Sequence, residues 1–160
     1  MLRHKESAEP RLAVAMIARD AEQIIAASLD SIREMADEII VADTGSLDRT
    51  RHVALARATH VVTIPWIDDF SAARNACFDR IKGDWVLWLD AGETIDADTA
   101  AEIRRFVDQD ADPKCVYLLR IKLPPAGDNG AGEQVCRVRL MPNNKDLRFT
   151  GRIRESLQPA

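Results

Sequence analysis

Asp84, Asp90 and Glu93 bracket a short apolar run, Trp85-Val-Leu-Trp-Leu, near the middle of the chain. The run is rich in Val, Leu and Trp and has strand rather than helix length, so it reads as a buried strand. In an open α/β sheet, ligands sit at the carboxyl ends of the strands. Hard oxygen donors at such an end suit Mg²⁺ or Mn²⁺, and a divalent cation in turn suits a diphosphate. The bland alternative is that Asp90 opens a turn and Glu93 is a solvated loop charge. This segment alone leaves both readings open.

The elements before the run must position it. Leu12-Ala-Val-Ala-Met-Ile17 reads as a strand. Asp20 is placed to cap the next helix, with Gln23 three residues on as in a capping box. Glu38-Ile-Ile-Val-Ala42 and His60-Val-Val-Thr-Ile64 read as strands. Between them Thr44-Gly-Ser-Leu-Asp48 turns into a short helix reaching about Arg57. Asp68 and Asp69 favour the start of a helix from Ser71 to Ile81, because negative charge suits a helix N-terminus. Strands separated by single helices predict a mainly parallel sheet with helices on both faces. Right-handed crossovers then bring Ala18-Arg-Asp20, Asp43, Pro65-Trp66 and Asp90 to one edge.

Asp96 is placed to cap a helix reaching about Val107. Cys115 to Leu123 and Val135 to Met141 alternate in polarity, which predicts a small antiparallel part around the Pro/Gly-rich stretch 124–132. The second of these segments sets Cys136, Val138 and Leu140 opposite Arg137 and Arg139. The chain stops soon after Glu155 with no closing helix, which points to a fragment or a minimal domain. The expected organisation is a flexible leader over 1–10 and a single domain over 11–160.

With 160 residues the chain fits one domain with a real core. A net charge of −4 without a basic block argues against a nucleic-acid surface. No apolar run is long enough to span a bilayer, although association with a membrane surface stays open. The polar N-terminus lacks an apolar signal core, which predicts a cytoplasmic protein. Cys77, Cys115 and Cys136 form no zinc pattern or even disulfide set and are expected to be buried thiols.

Taken in order, Asp43-Thr-Gly-Ser-Leu-Asp48, Asp68-Asp-Phe-Ser-Ala-Ala-Arg-Asn75 and Gly83-Asp-Trp-Val-Leu-Trp-Leu-Asp-Ala-Gly-Glu93 resemble family 2 glycosyltransferases of the GT-A fold. They look most like the subgroup with DTGSxDxT, FxWxDDFSxARN and GDWxLWLDADE patterns. Arg137-Val-Arg-Leu-Met-Pro-Asn143 and Phe149-Thr-Gly-Arg-Ile-Arg-Glu155 resemble that subgroup's closing RLFRN and FxGxxHE segments. Any one of these motifs is weak; their order is specific.

The resemblance implies an inverting transferase using a nucleotide-diphosphate sugar, UDP-linked by expectation, and Mg²⁺ or Mn²⁺. The acceptor could be a saccharide, a lipid-linked glycan or a peptide. Asp43 matches the acid that reads the uracil or ribose, with Ala18 and Asp20 on the neighbouring strand end. Arg74 matches the arginine near the nucleotide; the alternative is a surface pair with Asp68 or Asp69. Asp90 matches the first acid of the metal motif, but Gly92 stands where its second acid is expected, leaving Glu93 as the substitute ligand. Glu155 matches a base for the acceptor hydroxyl, and Arg154, in place of a histidine, could hold the diphosphate. A tail ion pair is the alternative for Glu155.

The glycine favours a rival reading, a noncatalytic nucleotide-sugar-binding or interaction module. A receiver-like signalling domain accommodates neither the antiparallel part nor the Phe70-Ser-Ala-Ala-Arg-Asn75 segment. A sugar-nucleotide pyrophosphorylase would need a Gly-rich phosphate loop after the first strand, and none is present.

Overall fold

A computed structural model describes residues 9–124, 133–153 and 155–159. The leader expected over 1–10 and the loop expected over 124–132 lie almost wholly outside the described residues.

Four strands alternate with helices along the first half. They are β1 (Leu12–Ala18), β2 (Glu38–Asp43), β3 (His60–Thr63) and β4 (Trp85–Trp88). The helices between and after them are α1 (Ile25–Ile32), α2 (Thr50–Leu55), α3 (Phe70–Phe78) and α4 (Ala97–Gln109). Strands β5 (Tyr117–Lys122) and β6 (Gln134–Pro142) complete a sheet of order β3-β2-β1-β4-β6-β5. The first four strands are parallel, and β6 runs antiparallel to both β4 and β5. A hairpin of β7 (Leu147–Thr150) and β8 (Ser156–Pro159) forms a second small sheet. This is the mixed α/β, GT-A Rossmann-like architecture expected.

Strand β1 is apolar throughout because it is covered on both faces. On one face Val14, Met16, Trp85 and Leu87 pack with α1, α2 and α4 through Leu29, Ala54 and Ile103. On the other, Ala13, Ala15, Trp88 and Met141 pack with α3 and the hairpin through Cys77, Phe78 and Phe149. Trp85 and Trp88 thus lie on opposite faces, as period-two alternation requires.

The register decides where the chemistry goes. Ala18 pairs with Asp43, and Ala15 pairs with Trp88. Asp43 and Asp90 therefore leave the same edge of the sheet, on either side of β1. Chain order reverses direction at β1, and ligand crevices form at such a switch point.

Several local expectations are corrected. Asp20 does not cap α1, which starts at Ile25 without a side-chain cap. Asp20 has φ +47° and accepts from the Leu47 amide at 2.7 Å. The neighbouring Ala21 and Glu22 amides donate to Thr50 and Asp48, so long-range bonds pull this segment out of the helix. Helix α3 starts at Phe70 and ends at Phe78, short of Ile81. Beyond it the Lys82 and Gly83 amides donate to the buried Glu38 carboxylate at 2.9 and 3.1 Å. Cys77 is buried, and burial pushes its thiol up to about 12; Cys115 and Cys136 are exposed. Of β6, the stretch Leu140–Pro142 pairs with β4. The outer half of β6, including Cys136, pairs with β5 instead and is largely exposed.

Caps at Asp69 and Asp96 form as negative charge at a helix start allows, each accepting from the amide three residues on.

Candidate functional site

The apolar register of β4 ends at Trp88, and Asp90 begins a turn. The Asp90 amide donates to Glu93 Oε2 at 2.9 Å, and the Glu93 amide donates to the Asp90 carbonyl at 3.0 Å. Gly92 makes the turn possible with φ +99°, and its amide donates to Ser28 Oγ at 2.9 Å. Asp90 opens a turn, as one of the two readings of this segment expects, and its side chain lines a cleft.

Two arginines from other elements meet Asp90. Arg139, on β6, sends Nη2 to Asp90 Oδ2 at 2.8 Å and to Glu93 Oε1 at 2.6 Å. Arg74, on α3, sends Nη2 to Asp90 Oδ1 at 3.3 Å and Nε to Glu155 Oε1 at 2.6 Å. The Arg74 guanidinium lies 4.4 Å from the Trp88 ring centroid and 5.4 Å from that of Phe149, a cation–π seat. Trp88 Nε1 also donates to Asp90 Oδ1 at 3.2 Å. The result is a continuous charge chain, Glu155–Arg74–Asp90–Arg139–Glu93.

Burial pushes the Asp90 carboxyl up, but the hydrogen bond and charge of Arg139, then those of Arg74, outweigh it. Asp90 is held below the ordinary carboxylate value. Arg74 does not pair with Asp68 or Asp69 as a surface residue. It is largely buried, and α3 aims it inward.

The chain of charges lines a cleft of about 700 Å³ whose other walls include Ile17, Arg19, Thr44, Trp66, Phe70 and Ile121. Asp43 is 4% exposed beside Thr44. Its Oδ1 accepts from the Ser46 amide at 3.2 Å and from the Ser46 hydroxyl. The Ala18 carbonyl accepts the Thr44 amide at 3.0 Å, locking the two strand ends together. Asp20 is not brought into this cleft; it lines a smaller one of about 240 Å³ with Glu22 and Asp48. Arg154 lies outside the described residues.

Asp90 and Glu93 offer hard oxygens that converge on one point, now taken by Arg139 Nη2. Among the described residues no third His, Cys, Asp or Glu joins them. Two carboxylates are donors of the kind that suit a divalent ion, which would need phosphate or water for its remaining ligands.

The residue that sequence reasoning left without a role is Arg139. Alternation sets it opposite Leu140, but only the register shows that it immediately precedes the Leu140–Pro142 stretch that joins β4, at the irregularity where β5 skips from Val138 to Leu140. An arginine there is buried and needs an acidic partner. Trp88, read as core alone, is also the platform for Arg74.

Residues 13–129 match the model of glycosyl transferase family 2. The chain belongs to this family. Among its relatives is a TPR repeat-containing protein of Synechococcus elongatus, 39% identical over 89% of this chain and 34% of that protein. An uncharacterized glycosyltransferase of Rickettsia typhi is 29% identical over 74% of this chain and 40% of that protein. The chain thus spans about a third to two fifths of the length of these relatives. Among solved structures, residues 1–349 of Staphylococcus aureus TarS superpose with a TM-score of 0.57 at 20% identity. That match covers 77% of this chain and 38% of that one, and it shows the fold. Family 2 membership agrees with the resemblance carried by the ordered motifs. No helix among the described residues is long and apolar enough to cross a membrane.

Proposed function

We propose that this family 2 domain, spanning residues 11–160, binds a UDP-linked sugar in the cleft beside Asp43 and transfers the sugar with inversion to an acceptor hydroxyl. The observation that carries the reading is the chain Glu155–Arg74–Asp90–Arg139–Glu93 at the sheet edge shared with Asp43. A TarS structure holds UDP, which supports this choice of nucleotide.

In this reading Asp43 accepts from the base N–H or a ribose hydroxyl, because its Oδ2 carries no hydrogen bond among the described residues. Arg74 and Arg139 offer guanidinium N–H groups to the diphosphate oxygens. Mg²⁺ or Mn²⁺ held by Asp90 and Glu93 would supply further charge neutralisation to the leaving diphosphate. Glu155 has one oxygen fixed by Arg74 and, among the described residues, its Oε2 unbonded. That oxygen takes the acceptor proton as the hydroxyl oxygen bonds to the anomeric carbon. The bond from that carbon to the phosphate oxygen breaks, and UDP leaves with the electron pair. Arg154 is proposed to add to the diphosphate contacts. Asp20 and Ala18 serve through the loop and strand end that hold Asp43.

The exposed thiols Cys115 and Cys136 suit a reducing compartment, so a cytoplasmic location is part of the proposal. The acceptor stays at the level of a saccharide, lipid-linked glycan or peptide.

One observation favours a noncatalytic binding module instead: both acids of the turn are already paired with a protein cation, and Gly92 supplies no ligand. Release of UDP from UDP-sugars with Mn²⁺, measured with and without candidate acceptors, separates the two. Turnover abolished by Glu155→Gln supports the transferase. UDP binding without turnover for every acceptor class supports the module.

A further inference from the structure

Arg139 is almost fully buried, yet its guanidinium is poorly used. Both of its carboxylate bonds run from the single nitrogen Nη2. Its Nε is buried and makes no hydrogen bond among the described residues. A guanidinium carries five N–H donors in a fork suited to paired oxygens, and here, among the described residues, only Nη2 meets a protein acceptor. Buried donors are rarely left orphaned, and an exception points to a missing acceptor or a second state.

The carboxylates tell the complementary story. Asp90 Oδ2 and Glu93 Oε1 accept from Arg139, Asp90 Oδ1 accepts from Arg74 and Trp88, and Glu93 Oε2 accepts from the Asp90 amide. Every carboxylate oxygen of the pair therefore has a protein donor before any ligand arrives. A divalent ion approaching Asp90 and Glu93 would meet the Arg139 charge at close range in a partly buried site, where repulsion is weakly screened.

We infer that Arg139 is an internal counter-cation that competes with the divalent ion for Asp90 and Glu93, and that a nucleoside diphosphate draws it away. The diphosphate offers Arg139 the paired oxygens its fork lacks. Its departure frees two carboxylate oxygens for the ion, which the same diphosphate helps to coordinate. Metal binding is thereby made conditional on nucleotide. By linkage, the factor by which UDP tightens the ion equals the factor by which the ion tightens UDP. The nucleotide half rests on the donor reading above; the competition between Arg139 and the ion does not.

The test is Mn²⁺ titration by electron paramagnetic resonance on wild type, Arg139→Gln and Arg139→Lys, with and without UDP, folding being checked by circular dichroism. Wild type alone should bind Mn²⁺ poorly, and UDP should tighten it at least about tenfold, a typical coupling of sites. Arg139→Gln alone should bind Mn²⁺ at least about tenfold more tightly than wild type, by the same measure of coupling. Adding Asp90→Asn should remove the gain. Arg139→Lys keeps a charge between the carboxylates and should show no gain. Tight Mn²⁺ binding by free wild type overturns the inference, as does a folded Arg139→Gln without the gain. Should Arg139→Gln not fold, nitrogen NMR of wild type decides: the Arg139 Nε–H signal, assigned with Arg139→Lys, should move on adding UDP in EDTA. A signal unmoved by bound UDP overturns the hand-over. Absence of UDP binding under every condition defeats the donor reading, while the metal titrations of Arg139→Gln and free wild type still judge the competition.

Discussion

Arg74 and Glu155 stand 81 positions apart in the chain and are joined by a 2.6 Å ion pair. The pair exists because α3 and the β7–β8 hairpin cover the same face of the sheet. Next to Arg74, Asn75 grips the hairpin: its Nδ2 donates to the Phe149 carbonyl and its Oδ1 accepts the Phe149 amide, both at 2.9 Å. Ser71 adds a 2.6 Å bond to the Gly151 carbonyl. One helix thus presents Arg74 to the cleft and fixes the segment that carries Glu155.

Asn75→Ala should loosen that segment. It strips the Phe149 backbone of both partners in a part-buried place, costing about 1–3 kcal/mol. Denaturant unfolding should report this loss. Hydrogen exchange should show β7 and β8 opening more readily than β1, which has other supports.

Glu155→Gln should separate chemistry from binding. If Glu155 is the base, turnover should fall by about 10²- to 10⁴-fold, with UDP affinity little changed. A parallel loss of UDP affinity would instead make Glu155 a support for Arg74. Steady-state rates and calorimetry together decide.

Asp43→Ala should weaken UDP by about 1–3 kcal/mol, the cost of leaving buried polar partners unmatched. Asp43 also holds Ser46, so Ser46→Ala is the control. It removes the hydroxyl contact while keeping the carboxylate, and UDP affinity should stay within a few fold. Calorimetry on both variants makes the comparison.

A pH effect is expected at Asp37, far from the cleft. Its carboxylate accepts from the Leu12 amide at 2.7 Å and from Arg104 Nη1 at 2.6 Å. Burial pushes its carboxyl up, but the Leu12 amide, Arg104 and Arg11 outweigh it, so it lies below its ordinary value of 3.8. A lowered folded value means stability present above the unfolded value and lost as pH falls through the folded one. Asp37→Asn should therefore lower the melting temperature at neutral pH and matter progressively less below about pH 3.8. The side chain is 40% exposed, so the neutral-pH loss should be only about 1 kcal/mol.

How far the sequence discloses this site follows from the range of the forces involved. The strands are legible because their apolar runs are local, and the shared edge of Asp43 and Asp90 follows from strand order and crossover handedness. Asp96 is legible as a cap, and Asp68 and Asp69 as the start of a helix, because both signals are local; which of the two acids caps α3 is seen only in the structure. Asp20 misleads because its partners, Ser46 and Leu47, lie across a crossover. Arg139 escapes because its role depends on which stretch of β6 pairs with β4, and alternation does not encode register. Cys136 misleads for the same reason: it lies in the exposed stretch of β6 that pairs with β5 and not with β4.

Gly92 gives the sharpest separation of backbone from ligand effects. It occupies the position of the missing second acid, with φ +99°, and an added Cβ would meet Ile24 Cδ1 at 3.2 Å. The missing carboxylate and the backbone turn are therefore coupled. Any L side chain there is strained by its left-handed φ, and Gly92→Ala should cost more than about 1 kcal/mol of stability. Gly92→Asp should suffer a similar loss, eased because Asp tolerates positive φ better than most residues. If position 92 faces the diphosphate, only the Asp variant should bind Mn²⁺ more tightly with UDP present. Unfolding curves and Mn²⁺ titrations on the pair distinguish the effects. Equal destabilisation with no gain in Mn²⁺ binding by Gly92→Asp would mean that the glycine serves the turn alone.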